Sequence, residues 1–187
     1  MAKLTLAQAE QLVSLLNILA DPENQPWDPA WGESVFSALT HVITPVSIEI
    51  VALRRGLDGH FEVFLTQRPN TPSEPYPGQW HSPGTYVYAN DRSVIYDQRR
   101  RLEMWEVEPA YYADITYAGR TETAVPPRGR SVQLVHCARL DGEPAHGAFF
   151  SFEALPEPFH HQHREIILIA INKAEQLGWQ LVPPSRS

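Results

Sequence analysis

The segment between Ser93 and Glu108 carries the densest charge in the chain and the first candidates for chemistry. Glu103 and Glu106 stand three residues apart and Glu108 follows, so on a helix their carboxylates lie about one turn from each other. Carboxylates in that arrangement can hold a divalent cation and activate a water molecule. The same segment has three consecutive arginines, Arg99 to Arg101. Arg99 is placed four residues before Glu103, the spacing of an ordinary ion pair on a surface helix. A magnesium ion held by one carboxylate beside a guanidinium would be bound weakly. The segment therefore reads first as an ion-paired surface helix and second as a relocated metal site.

Other groups offer other chemistry. Arg128 and Arg130 in the turn PPRGR, together with Arg68 and Arg120, could converge on a phosphate, whose oxygens suit the guanidinium fork. A solvated basic turn is an equal reading. His160, His161 and His163 precede an apolar helical run and could ligate zinc, but nothing at ligand spacing completes the set. They read as a polar helix entry with one ligand contact at most. Tyr76, Trp80, Tyr86 and Tyr88 surround a proline-rich stretch where rings could stack on a base, although core packing is their commoner fate. Serine or cysteine nucleophiles have no support: GxSxG is absent, and the single cysteine, Cys137, sits inside an apolar strand pattern.

The elements that must position these groups follow from periodicity and punctuation. Thr5 and Gln8 form a capping box before Leu12, Leu15, Leu16 and Leu19 at helical spacing. Asp28-Pro29 opens a second, shorter helix with Trp31, Val35, Leu39 and Val42 on one stripe. VSIEIVALRR and HFEVFLTQR flank Gly56-Leu57-Asp58-Gly59 as a hairpin, and Pro69 to Gly84 is a structured loop rich in proline. TYVYA resumes a short strand. Asp91 caps a helix through SVIYDQRRRLEMWEV, with Val94, Ile95, Leu102 and Trp105 as its apolar contacts and Glu108-Pro109 as its end. DITYAGRTETA and SVQLVHCARL are two more strands, and the hairpin-type dipeptide Asp141-Gly142 closes that part. GAFFSFEALPEP gives a last strand, and a final helix from Arg164, with Ile166, Ile169, Ala170 and Leu177, stops at Gly178. Paired strands with one helix in the middle and one at the end describe a mixed sheet covered by helices, not a Rossmann domain.

From Val46 to about Leu177, some two thirds of the chain, this order resembles the Nudix hydrolase family. Thr66-Gln67-Arg68 at the end of the second strand and Trp80-His81-Ser82-Pro83-Gly84 in the loop match its landmarks. The family signature runs glycine, five residues, glutamate, seven residues, then arginine-glutamate-aliphatic-any-glutamate-glutamate-any-glycine-aliphatic. Laid on Gly84 without gaps, it meets Asn90 at the first glutamate, Gln98 at the arginine, Arg99 at the next glutamate and Leu102-Glu103 at the glutamate pair. Thr85 replaces the second loop glycine and Trp105 the helix-ending one. A slip of two residues puts Met104 and Trp105 at the pair, which is worse for a metal.

The resemblance implies an α/β protein, a Nudix-like α/β/α sandwich with a mixed sheet plus two N-terminal helices. Residues 1–45 are expected to form the helical extension, 46–180 the Nudix-like domain and 181–187 a loose tail. It implies a cleft for a nucleotide-like or other phosphorylated small molecule, contacted by Arg68, Trp80, Gly84, Arg99, Arg128 and Arg130, with little or no hydrolysis. The alternative is a magnesium-dependent diphosphate hydrolase with Glu103 and Glu106 as catalytic residues and Glu103 as the metal ligand. Magnesium is the cofactor in that case and none in the first. A third reading makes the N-terminal helices a homodimer or partner surface.

Composition bounds these readings. With 187 residues, 43% hydrophobic and 20% charged, the chain suits one globular domain without disulfides. Its net charge of −7 opposes bulk nucleic-acid binding. No apolar run of about eighteen residues and no basic-then-apolar leader occurs, so a cytoplasmic protein without membrane partners is expected. Seventeen prolines exceed the usual share of about 5% and mark ordered loops.

Overall fold

The structure, a computed structural model, describes residues 5–20, 38–39, 43–72, 74, 76–87, 91, 93–125 and 129–179. The expected second helix lies outside these residues except for Ala38 and Leu39, which are helical; Tyr88, Asn90, Arg128 and the tail from residue 180 lie outside them too. Helix α1 spans Leu6–Ala20. Its capping box forms as expected, with Thr5 N–H donating to Gln8 Oε1 at 2.9 Å and Gln8 N–H to Thr5 Oγ1 at 3.3 Å. Leu12, Leu15 and Leu16, however, stay outside the core and are exposed. No described helix is long and apolar enough to cross a membrane.

The sheet is built on β1 (Val46–Arg55), a β-branched run buried on both faces over most of its length. Side chains alternate across it. Ile48, Ile50 and Ala52 face one cluster with Leu102, Val107 and Tyr112, while Val51 and Leu53 face another with Ile166, Ile167 and Ala170. Helices α2 (Val94–Leu102) and α3 (His163–Gln176) supply those two covers, so the sheet lies between helices.

Strand β1 pairs in parallel with β6 (Gly129–Asp141), from Val46 opposite Val132 to Ala52 opposite Ala138. Antiparallel β5 (Tyr111–Val125) lies outside β6. On its other edge β1 changes partner. Its first half pairs with β4 (Gly84–Tyr86) and its last residues with β2 (Phe61–Gln67), so β2 diverges where β4 enters. Two short strands complete the sheet of seven among the described residues, β3 (Trp80–His81) and β7 (Ala148–Ser151), both paired with β2.

Several expectations need correction. The proline-rich loop contains β3, whose Trp80 also bridges Phe159 before α3. Asp141-Gly142 is not a hairpin turn, because β7 crosses to β2 instead of pairing with β6. Helix α2 is capped by Ser93, whose hydroxyl accepts from Tyr96 N–H, and not by Asp91. Asp91 is taken by Arg101, whose two terminal nitrogens fork its carboxylate at 2.7 and 2.9 Å, while Gln98 Nε2 donates to it at 2.5 Å. Leu177 is exposed beyond the end of α3, where Gly178 takes φ +64, a value an L side chain adopts only with strain.

The largest departure is at the end of α2. The helix does not run on as α but turns into a π-helical turn, Glu103–Val107, closed by Glu108 N–H to Glu103 C=O at 2.8 Å. The extra residue in this turn rotates everything after Leu102. Val107 is buried, and Trp105, expected as an apolar contact, is 54% exposed.

Candidate functional site

A cleft of about 700 Å³ opens where β1 exchanges β2 for β4. Its floor is the end of β2, Thr66-Gln67-Arg68, with Gly84 of β4 beside it. The π-helical turn supplies Trp105 and Glu106 to one wall, and the loop before β7, through His146 and Gly147, supplies another. Ala145 N–H donates to Glu108 C=O at 3.1 Å, which holds that loop against the turn.

Gly84 is required by a close approach. A Cβ there would lie 1.9 Å from Oε2 of Glu49, its cross-strand partner. Only glycine leaves room for this carboxyl, which lies buried within the sheet. Burial pushes the Glu49 pKa up to about 8, against the opposing pull of the Ser47 hydroxyl at 2.9 Å and the Arg68 charge. Among the described residues Glu49 Oε2 has no hydrogen-bond partner, nor has the buried Tyr112 hydroxyl. Burial raises Tyr112 well above its usual range, reinforced by the negative field of Glu106, Glu103 and Glu49. Three carboxyls from two elements thus act electrostatically on one phenol. Neither Glu49 nor Tyr112 carried a sequence signal: Glu49 sits in the β pattern VSIEIVALRR and reads as a strand residue, and Tyr112 precedes the run DITYAGRTETA and falls in no expected element.

Glu106 is also pushed up by burial, moderated by the Thr66 hydroxyl that donates to it and by Arg68. Glu103 is engaged differently. Its Oε1 accepts from Arg99 Nε and from Tyr112 N–H, each at 2.8 Å, so the expected ion pair forms and also ties the turn to β5. Glu108 is exposed past the turn. Arg68 enters the cleft but pairs with Glu74 at 3.0 Å and lies 5.7 Å from the Tyr76 ring. The described members of the expected arginine group, Arg68, Arg120 and Arg130, do not gather. Arg120 and Arg130 are exposed on β5 and β6, outside the cleft lining, and Arg128 lies outside the described residues. Among the described residues no three histidine, cysteine, aspartate or glutamate side chains form a set able to hold a metal ion.

Beside the cleft the histidines gather, with a member the sequence did not suggest. His160 and His163 are buried, not a polar helix entry, and His81 of β3 joins them with ring centroids 5.7 Å from His163. His81 Nδ1 must donate to the Ser82 carbonyl at 2.9 Å, because a carbonyl only accepts. That fixes its tautomer and leaves the Nε2 lone pair toward Thr66. The Ser82 hydroxyl bonds His163 Nδ1 at 2.7 Å, and His160 Nδ1 bonds Gln79 Oε1 at 3.1 Å. Burial, with Arg68 second, holds His81 down at about 3, and burial drives His163 well below its usual value. His161 is exposed. Trp80 works with this cluster structurally: its N–H donates to Pro158 C=O at 2.8 Å and its C=O accepts from His160 N–H at 2.9 Å, anchoring the entry to α3.

No family model and no curated protein matches the sequence. Solved structures do match the fold. A MutT NUDIX hydrolase from Burkholderia pseudomallei is 19% identical with a TM-score of 0.54, over 67% of this chain and 97% of that one. The NUDIX domain of Shewanella oneidensis NrtR, solved with ADP ribose, is 18% identical with a TM-score of 0.54, over 87% of this chain and 97% of that domain. A MutT/nudix family protein from Enterococcus faecalis is 15% identical with a TM-score of 0.52, over 94% and 76% of the two chains. With a mixed sheet between helices, a cleft at the partner exchange of β1 and these neighbours, the chain has the Nudix fold.

Proposed function

We propose that this Nudix-fold protein binds a nucleotide-like or other phosphorylated small molecule in the cleft and hydrolyses it little or not at all. The observation that carries this reading is the commitment of Glu103. Its Oε1 is already shared between Arg99 and the Tyr112 amide, so the carboxylate best placed by the family signature serves the fold. Glu49 and Glu106 both sit where burial favours the protonated acid, which offers a cation less charge than two carboxylates would. The residues present therefore do not fit a magnesium ion in this arrangement, and no reaction step is assigned to one. Arg68, on the cleft floor, is the guanidinium that can meet a phosphate if Glu74 yields it. The ADP ribose bound by the NrtR domain supports the nucleotide-like class.

Thermal denaturation with ADP ribose as the probe tests the reading. Binding to the native state raises the melting temperature, and Arg68→Ala is expected to reduce that rise while the protein stays folded. Incubation with magnesium should release no nucleoside monophosphate. Magnesium-dependent turnover that disappears in Glu103→Gln would replace this reading by a diphosphate hydrolase with displaced ligands.

A further inference from the structure

We infer that the cleft recognises the ring of its ligand more than the phosphate: Trp105 and Glu106 form a platform for a planar nitrogen heterocycle carrying N–H donors, of the nucleobase type. This inference rests on the ligand-binding reading above and assigns the affinity within it. Tryptophan is the largest apolar surface a protein can bury, yet Trp105 is 54% exposed on the cleft wall. The π-helical turn explains the exposure. It sends Val107 inward in its place and brings Trp105 and its neighbour Glu106 to the same wall. An aromatic face and a carboxyl side by side are complementary to a flat ring with edge donors: the face stacks and the carboxyl oxygen accepts. Trp80, the other indole of the cleft, packs at 4.9 Å against Phe150 and is bonded through its backbone to the α3 entry. It is part of the frame, which leaves Trp105 as the recognition surface.

The polar groups point the same way. The guanidinium of Arg68 is paired with Glu74 at 3.0 Å, and Glu106 lines the same cleft. A bare phosphate entering there meets one neutralised cation and two carboxyl groups, so its charge gains little. A heterocycle gains from stacking without displacing Glu74.

Tryptophan fluorescence titration of the full chain tests this with four nucleosides (adenosine, guanosine, cytidine, uridine), their monophosphates, ribose 5-phosphate and inorganic pyrophosphate. At least one nucleoside is expected to quench the emission and to bind within about fivefold of its monophosphate, and Trp105→Ala is expected to weaken both about tenfold or more. Trp105→Phe should recover most of that loss, since a stacking face returns, which a mere folding defect would not explain. Glu106→Gln should change the ranking among the four nucleosides, because its amide both donates and accepts. If ribose 5-phosphate or pyrophosphate binds as tightly as the monophosphates and Trp105→Ala is neutral, the inference is overturned and the phosphate-directed reading stands. If no probe binds, both fall.

Discussion

Two buried polar clusters flank the cleft, and burial shifts them in opposite directions to the same end. On one side, Glu49 is pushed up to about 8 and Tyr112 well above its usual range; on the other, His81 is held down at about 3 and His163 far below its usual value. Near neutral pH the low dielectric favours the uncharged form of Glu49, His81 and His163. The clusters differ in satisfaction. Each of the histidine rings bonds a serine or a glutamine, whereas Glu49 Oε2 and the Tyr112 hydroxyl have no partner among the described residues. A satisfied buried network cements structure, and here it fastens β3 to the start of α3. Unsatisfied buried groups are uncommon in native proteins and concentrate where a site is built. The carboxyl side lies against Gly84 and the floor of the cleft.

The largest expected effect comes from crowding the carboxyl side. Gly84→Ala puts a methyl group onto Glu49 Oε2 at 1.9 Å and should cost on the order of 3 kcal/mol in urea unfolding at pH 7. Combining it with Glu49→Ala should recover a good part of that loss, because the two positions touch. Near-wild-type stability for Gly84→Ala alone would mean that the carboxyl does not occupy this space.

The next effect separates the clusters by pH. The folded-state pKa of Glu49 is raised from 4.5 to about 8, so its favourable protonated form is fully present below pH 4.5 and is lost as the pH rises toward 8. His81 is depressed from 6.5 to about 3, so its contribution is intact above pH 6.5 and is lost as the pH falls toward 3. Each group contributes a slope of about 1.4 kcal/mol per pH unit inside its window. Glu49→Gln should flatten the decline in stability between pH 6.5 and 8, and His81→Gln should flatten the decline as the pH falls from 4.5 toward 3, the ranges where each group titrates without the other. Between pH 4.5 and 6.5 the two windows overlap and their slopes oppose each other, so a change made by Glu49→Gln below pH 4.5, or by His81→Gln above pH 6.5, would show that the clusters are coupled and sink the comparison.

The smallest effect belongs to the surface. Arg99 is partly exposed, so Arg99→Ala should cost no more than about 1 kcal/mol, and less at high salt. A larger loss, independent of salt, would show that Arg99 holds Glu103 in place for the Tyr112 amide and not merely by charge.

The order of strands and helices was legible because it is written in local alternation and turn chemistry. VSIEIVALRR, the Gly56 to Gly59 turn and the capping box at Thr5 and Gln8 needed nothing beyond neighbouring residues. The Arg99 and Glu103 pair was legible for the same reason, being one helical turn apart. Their partners across the fold were not. Asp91 looked like a cap because caps are local, but Arg101 took it from ten residues away. An α-helical period continued beyond Leu102 would place Trp105 in the core, and the π-helical turn breaks that period.

By itself, then, the chain determined most of its described elements, its mixed α/β class and the run of arginines along α2, since these depend on spacing of a few residues. Only the tertiary structure decided where β1 trades β2 for β4, that the helix ends in a π-helical turn, and that Glu49, Tyr112 and His81 are buried beside one cleft. Those facts arise from desolvation and from contacts between residues far apart in sequence, and neither leaves a periodic trace for a reader of the chain to find.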